Sequence, residues 1–531
     1  MRTCTALFVS LLVSLGSFAV QAQPSSPLNE AVEAYNANDL PRAAKLFYKA
    51  RMTDTVVANR AKAEYYLGHS LYKMGLYQSA LAYYNAVFVQ GPAHPYYLKG
   101  AEGLINVAAE LRDDTLIPSQ INKFYNPQAF AGMDPMALSR INFHVGLLLY
   151  RQEKYDQSLA FLGAVEQESS VFAKALFLQA IIHTRLGVRY ARAGDEARTQ
   201  AEYDKSIALF EQIVGLSERT EEGARRAMQL YEDVHRLWQL CTLNLARSYY
   251  GKGDFARAVQ YYSRIPRFSQ DWAAALFEIG WAFYMRQEYG RALGALHTLH
   301  SPHFENLFHP ESWILKATIY YQVCLYDESM AMLDHFQENY AAMMPLIKEL
   351  TEGPLPNEAF SALLLKDELP ADDPLAELPE SVKQYILNNP RVENFRHFLR
   401  SLEAEAVAIR EQDEWKGERL AEELLGVVNV QRNLLQKTAG GFVKAKLQQA
   451  YLNISSYVSH AKMVKLEITT RRRKLVAAGH PVRAELRGKL APRPRVPDET
   501  YNYWKFVKEY WRDELGFYVY TIRRACPKQA R

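Results

Sequence analysis

Cysteine is scarce in this chain of 531 residues: there are four, at 4, 241, 324 and 526. No two of them form a C-x-x-C pair, which removes paired-cysteine zinc sites and thioredoxin-like redox chemistry. H-E-x-x-H and G-x-S-x-G are also missing, and KTAGGF at 437–442 lacks the phosphate-cradling pattern of a P-loop. An excess of charge of one sign is absent too. Lys and Arg total 63 against 59 acids, so net charge gives no general affinity for nucleic acid. Long hydrophobic runs are limited to Ala6–Val20, and no later stretch is long and apolar enough to cross a bilayer. Proline is missing from 391 to 478, which leaves that stretch free to form long helices. The sequence therefore predicts no catalytic residue, no metal ligand and no cofactor.

The one apolar run sits between Arg2 and Val20-Gln21-Ala22. This is the layout of a signal peptide, residues 1–22, cleaved after Ala22. Cys4 precedes the run, so it is not placed to carry a lipoprotein anchor. Export would leave Cys241, Cys324 and Cys526 in an oxidising compartment, an odd number that cannot all pair internally. Cys241 and Cys324 lie in helical patterns and read as small core residues. Cys526, in the tail, reads as the reactive or pairing thiol.

What the chain has in quantity is aromatics, 34 Tyr and 24 Phe. In 62–92, KAEYYLGHSLYKMGLYQSALAYYNAVFVQGP, Leu67, Leu71, Tyr77 and Tyr84 are apolar knobs at helical spacing. Gly68 and Ala80 let two helices approach, Gly75 suits the turn and Pro92 ends the second helix. This unit resembles the tetratricopeptide repeat (TPR), a 34-residue helix–turn–helix. It recurs: the small residue of the first helix falls at 31, 68, 146, 246, 280 and 317. The steps of 37, 34 and 37 are single repeats and 78 is two. The step of 100 holds a fifth repeat plus an insertion, with helices near 173–186 and 203–214 separated by an extended or inserted segment. The resemblance implies an all-α fold, a TPR solenoid of about eight repeats over 23–345 wound as a right-handed superhelix of helical hairpins.

Beyond it, 346–390 mixes prolines with acids and reads as a solvated connector with short helical turns. Residues 391–480 read as a long helical hairpin of two amphipathic helices, broken or bent near Gly440-Gly441 or near Gly426. A basic proline-rich linker covers 481–500. The aromatic C-terminal module, 501–531, reads as a short helix followed by GFYVYTIR, which alternates as a strand does. The ending YWKFVKEYWRDELGFYVYTIRRAC is similar to that of secreted TPR proteins of deltaproteobacteria tied to gliding-motility and cell-envelope complexes. That resemblance implies a periplasmic, non-catalytic scaffold for protein–protein interactions. An envelope-biogenesis chaperone that binds extended clients is a second reading.

Aligning the repeats places Tyr35, Tyr72, Tyr150, Tyr250, Tyr284 and Tyr321 at one position, which in the TPR family faces the concave groove. Phe277, Trp281 and Arg247 occupy neighbouring sites. Rings with a polar tip suit peptide or helix binding, so other proteins, components of the cell envelope, are the partners implied. The bland alternative is that these rings pack against neighbouring repeats. Arg471-Arg472-Arg473-Lys474 is either a solvated helix end or a peripheral contact with anionic lipid. His297, His300, His303 and His309 could form a metal-binding or enzymatic module, or a polar turn between repeats. Trp504, Tyr510, Trp511, Tyr518 and Tyr520 are too many rings to leave in water, which predicts a tail docked against 391–478 with its strand exposed.

Overall fold

The computed structural model describes residues 27–531 apart from 219–233, 367, 478–497, 501, 503, 505, 523–525 and 527–531. The expected signal peptide and most of the basic linker lie outside the described residues. Within them the chain is all-α, with no strand.

Helices come in pairs joined by tight turns: α1 (Pro27–Asn36) with α2 (Leu40–Thr53), α3 (Val57–Lys73) with α4 (Tyr77–Phe88), and α5 (Tyr97–Leu111) with α6 (Leu116–Lys123). After one turn, α7 (Pro127–Phe130), follow α8 (Pro135–Arg151) with α9 (Tyr155–Gly163), and α10 (Phe172–Arg192) with α11 (Glu196–Glu218). The array continues with α12 (Val234–Gly251) and α13 (Phe255–Tyr262), α14 (Trp272–Met285) and α15 (Tyr289–Leu299), and α16 (Pro310–Gln322) and α17 (Tyr326–Asn339). No insertion separates α10 from α11: both helices are long, and α11 begins four residues after α10 ends. The rest of the long step, 219–233, lies outside the described residues.

One turn closes every pair. A left-handed residue follows the first helix at Asn38, Gly75, Arg112, Glu153, Gly194, Gly253, Gln287 and Cys324, with φ between 52° and 85°. The next N–H returns to a carbonyl five residues back, as in Asp39→Ala34, Leu76→Leu71, Glu288→Phe283 and Leu325→Tyr320, each 2.9 Å. This bond satisfies a carbonyl that the helix end leaves open. The small residues bring the two helices together as the sequence predicts. A Cβ on Gly68 would lie 3.0 Å from Tyr83 Cβ, and one on Gly146 would lie 2.7 Å from Leu162 Cγ. Ser158 donates to the Gly146 carbonyl and Ser329 to the Ala317 carbonyl, both at 2.7 Å.

The segment after α17 is helical but not solvated. α18 (Met344–Glu352), α19 (Ala362–Leu365) and α20 (Glu380–Leu387) carry Ile347, Leu350, Leu363, Val382 and Ile386, all buried, as is Phe360 in the 3-10 turn Asn357–Ser361. Its apolar residues outweigh the prolines and acids that suggested a linker. Next, α21 (Pro390–Glu411) turns at Gly417 (φ 73°) into α22 (Arg419–Ala477). At 59 residues, α22 is about 90 Å long. It runs unbroken through Gly426, Gly440 and Gly441, where the sequence reading placed a break. Gly440 serves a close approach instead: its Cβ would fall 1.8 Å from the Asn357 carbonyl oxygen. Glycine costs a helix only about 1 kcal/mol, so packing decides.

This second half ties the array together. Trp415 is fully buried and donates Nε1–H to the Pro41 carbonyl at 2.9 Å. Glu423 on α22 accepts from Tyr48 and Tyr83 (2.9 and 3.1 Å) in the first two pairs. Glu405 on α21 sits at the N-terminus of α4, accepting from Gln78 N, Ser79 N and Ser79 Oγ at 2.6–2.8 Å. These are donors the helix leaves open, near its positive end. Toward its C-terminus α22 meets the last pair: Tyr457 donates to Glu311 (2.9 Å), Lys465 pairs with Asp334 (2.7 Å) and Arg472 with Asp327. The buried residues of α1–α8 and of α16–α22 thus belong to one continuous core, and α10–α16 supply a second.

Candidate interaction groove

The aligned tyrosines are all half-buried, but they do not form one uniform row. In most pairs the ring meets an aromatic five residues on, at the start of the second helix. The pairs are Tyr72–Tyr77, Tyr150–Tyr155, Tyr250–Phe255, Tyr284–Tyr289 and Tyr321–Tyr326, with centroids 5.2–6.1 Å apart. These contacts brace the hairpin turn, so the packing alternative holds for part of each ring. The i, i+5 aromatic spacing is readable in the sequence and went unused.

The N-terminal members are further enclosed. Tyr35 packs edge-on against Tyr66 (5.4 Å) beneath the Lys73 ammonium (4.7 Å). Tyr72 lies beside His69 and Tyr84, and His69 Nδ1 is bonded to Tyr84 Oη at 2.9 Å. Tyr321 is engaged by Glu467 and Arg471 of α22. Tyr150 stands apart from the others, within a small cluster around α8–α10.

Four predicted residues do converge. Arg247 and Tyr250 on α12, with Phe277 and Trp281 on α14, line a concavity of about 470 Å³ together with Tyr262, Glu278 and Glu311. Tyr284 extends it, edge-on to Trp281 at 5.6 Å. Arg247 is held by Glu278 through two bonds, Nε–Oε2 2.8 Å and Nη2–Oε1 2.6 Å. This fork fixes the guanidinium flat in the floor. Burial, reinforced by Glu278, pushes the Tyr262 hydroxyl well above its usual pKa, so it stays protonated. Glu311 arrives from the next pair and is bonded by Tyr457 of α22. The site thus offers apolar walls, one paired cation and carboxylates at its rim. Sequence reasoning missed Glu278, Tyr262 and Glu311. Opposite charges on adjacent first helices, Arg247 and Glu278, were the available signal.

The tail departs from expectation. The described residues of 504–522 form neither helix nor strand, and the stretch from Tyr510 to Ile522 packs on α15 and its flanks, not on 391–478. Arg267 Nη2 donates to the carbonyls of Arg512 (2.6 Å) and Asp513 (2.9 Å), Gly516 N to Thr298 Oγ1 (3.0 Å), and Tyr520 N to the Gly290 carbonyl (2.9 Å). Side chains at 290 and 294 would forbid this seat, because Cβ atoms there would lie 2.2 Å from Tyr520 O and 1.7 Å from Tyr518 O. Leu515 is 3% exposed, while Trp504 (77%) and Trp511 (59%) face solvent and do not dock. Tyr510, Tyr518 and Tyr520 do, around His297. Cys324 is not a core residue: it occupies the left-handed turn after α16 and forms a disulfide with Cys526. Cys241 is buried and free.

The histidines diverge. His297 Nδ1 is bonded to Tyr520 Oη at 2.9 Å, and burial, aided by Lys316, lowers its pKa to about 4. His300 stacks on Trp313 at 3.8 Å and bonds Ser312. His303 meets Phe268 edge-on, and burial lowers His309 to about 4. Among the described residues no three His, Cys, Asp or Glu gather as a metal site, and no helix is long and apolar enough to cross a membrane. Of the basic run, Arg472 pairs with Asp327 and Arg471 with Tyr321, leaving Arg473 and Lys474 exposed.

No protein-family model matches the chain, and no curated protein matches it.

Proposed function

We propose that the chain is a non-catalytic TPR scaffold that holds other proteins of a periplasmic cell-envelope complex, of the kind tied to gliding motility. The carrying observation is the concavity of Arg247, Tyr250, Phe277 and Trp281. There, aromatic rings that a shut solenoid would bury stay half-open around a fixed guanidinium. Aromatic residues and arginine are what protein interfaces concentrate at their centres. Eight hairpins with one turn geometry support the TPR reading. The N-terminal leader pattern and the Cys324–Cys526 disulfide support an oxidising, exported setting.

A photo-crosslinking residue at position 281 tests the reading in cells. Defined adducts with envelope proteins, lost on Arg247→Glu, are the expected result. Adducts that form only from positions outside the concavity, such as 430 on α22, would remove the groove from the account.

A further inference from the structure

α22 carries apolar residues on two sides. Leu424, Val428, Leu435, Val443, Leu447 and Ile454 belong to the main core. Away from it, Val430, Leu434, Leu452, Met463 and Leu466 are 46–68% exposed. Leu434 and Leu452 stand 18 residues apart, and Val430 and Leu466 stand 36 apart, whole numbers of turns at 3.6 residues each. The five therefore fall along one side of the helix, joined there by exposed Ala445 and Gln448. Large apolar side chains aligned over about 54 Å of one helix mark a contact surface. Their order reads alike from both ends. About a two-fold axis at Gln448–Gln449, Val430 falls opposite Leu466, Leu434 opposite Met463 and Ala445 opposite Leu452. The ends mirror one another in charge: Glu422 and Lys474 lie 26 residues either side of Gln448, and both are exposed. Neither a membrane nor an unrelated helix requires mirror order, whereas a second copy does.

We infer that this outer face of α22 pairs with the same face of a second copy of the chain, antiparallel, about the axis at Gln448–Gln449. Apolar residues then meet apolar residues along the stripe, and the charged ends meet with opposite sign. At the N-terminal end Glu423 is already engaged by Tyr48 and Tyr83, which leaves Glu422 as the outward carboxylate. At the C-terminal end Arg472 is paired with Asp327, which leaves Arg473 and Lys474 to face it. An apolar centre with a polar rim is the usual layout of a protein interface. Reversed directions also set the negative end of each helix beside the positive end of the other. A self-complementary surface of this kind closes as a dimer and does not propagate. None of the groove residues takes part, so the two readings stand or fall separately.

Sedimentation of the full chain over a concentration series tests it. A monomer–dimer equilibrium is expected, and Leu466→Glu should weaken it by about tenfold or more, because it buries a carboxylate against Val430. Leu466 is exposed, so the circular-dichroism spectrum of the variant should match that of the parent. Where it does not, Leu452→Glu at the middle of the stripe serves instead. Register is read by a short bismaleimide: copies carrying Val430→Cys should cross-link to copies carrying Leu466→Cys, and not to one another. A monomer at every concentration overturns the inference. So does a dimer indifferent to both glutamate variants, or a cross-link between two copies of Val430→Cys. A monomer that binds phosphatidylglycerol vesicles, and loses them on Leu466→Glu, also overturns self-pairing and assigns the face to a lipid surface.

Discussion

Two C-terminal segments return to the helical array, and they hold it by different physics. The α21–α22 hairpin docks through side chains: the buried Trp415, the Glu405 carboxylate capping α4, and a line of apolar residues from Leu420 to Ile468 in the main core. The tail docks through backbone: two glycines of α15 admit its carbonyls, one N–H reaches Gly290, and a disulfide fastens its end. A helix has already bonded its own backbone groups, so only its side chains can bind. An extended segment has not, and it must find partners or water. The first attachment supports the fold as a whole, the second only the neighbouring hairpins α14–α15 and α16–α17.

The largest expected effect breaks the helix side. Trp415→Ala removes a fully buried ring and its bond to the Pro41 carbonyl. A loss of about 3–5 kcal/mol, read by chemical denaturation, is expected; a loss under 1 would mean that α22 is not integral to the core. Next comes the tail side. Gly294→Ala puts a methyl where Tyr518 O lies and should cost about 1–3 kcal/mol, with protease cleavage appearing first in 504–522. Global unfolding without early tail cleavage would remove the distinction drawn above.

Acid sharpens the comparison further. The pKa of His297 is about 4 in the folded state and near 6.5 unfolded, so the unfolded chain takes up the proton first. The stability tied to neutral His297 is complete above about pH 6.5 and is lost as pH falls toward 4. The groups facing it are Tyr510, Tyr518 and Tyr520 of the tail and Lys316 of α16, none of which supplies a compensating anion. Tail cleavage should therefore rise on acidification and lose that pH dependence in His297→Gln. Glu405 carries the opposite sign: burial raises its pKa against the bonds from Ser79 and Gln78. The native state thus holds that proton more tightly, and this group's contribution is best at low pH and declines as pH rises through the folded value. The α21 attachment should outlast the tail in acid. The smallest effect belongs to Lys465→Ala, which removes a part-exposed pair with Asp334 and should shift stability by less than about 0.5 kcal/mol.

The hairpins were legible because each carries its own signal within some 34 residues: Gly68 or Gly146 at the crossing, knobs at helical spacing, a ring at the turn. The shared turn was only half visible, since Asn38, Glu153, Gln287 and Cys324 adopt the conformation that Gly75 and Gly253 advertise. Long-range docking was not legible. Gly440 and Gly294 look alike in sequence, as interruptions of a helix, yet each is a seat for a distant carbonyl. Cys324 looked helical because its neighbours are. In the candidate groove, Arg247, Tyr250, Phe277 and Trp281 were found by repeat alignment. Tyr35 and Tyr72 were grouped with them because alignment does not reveal which pairs fill their own inner face.

A free-ended solenoid can gain or lose a repeat at little expense, since nothing downstream measures its length. Here α22 measures it, spanning from the first two hairpins at Glu423 to the last at Arg472. An added hairpin would move one attachment by roughly two helix spacings, 8–10 Å each, and would demand a matching dozen residues in α22 at 1.5 Å apiece. A change in repeat number would therefore need a matching change in the length of α22, whereas helices that are long in place, as α10 and α11 are, leave both of its attachments where they stand.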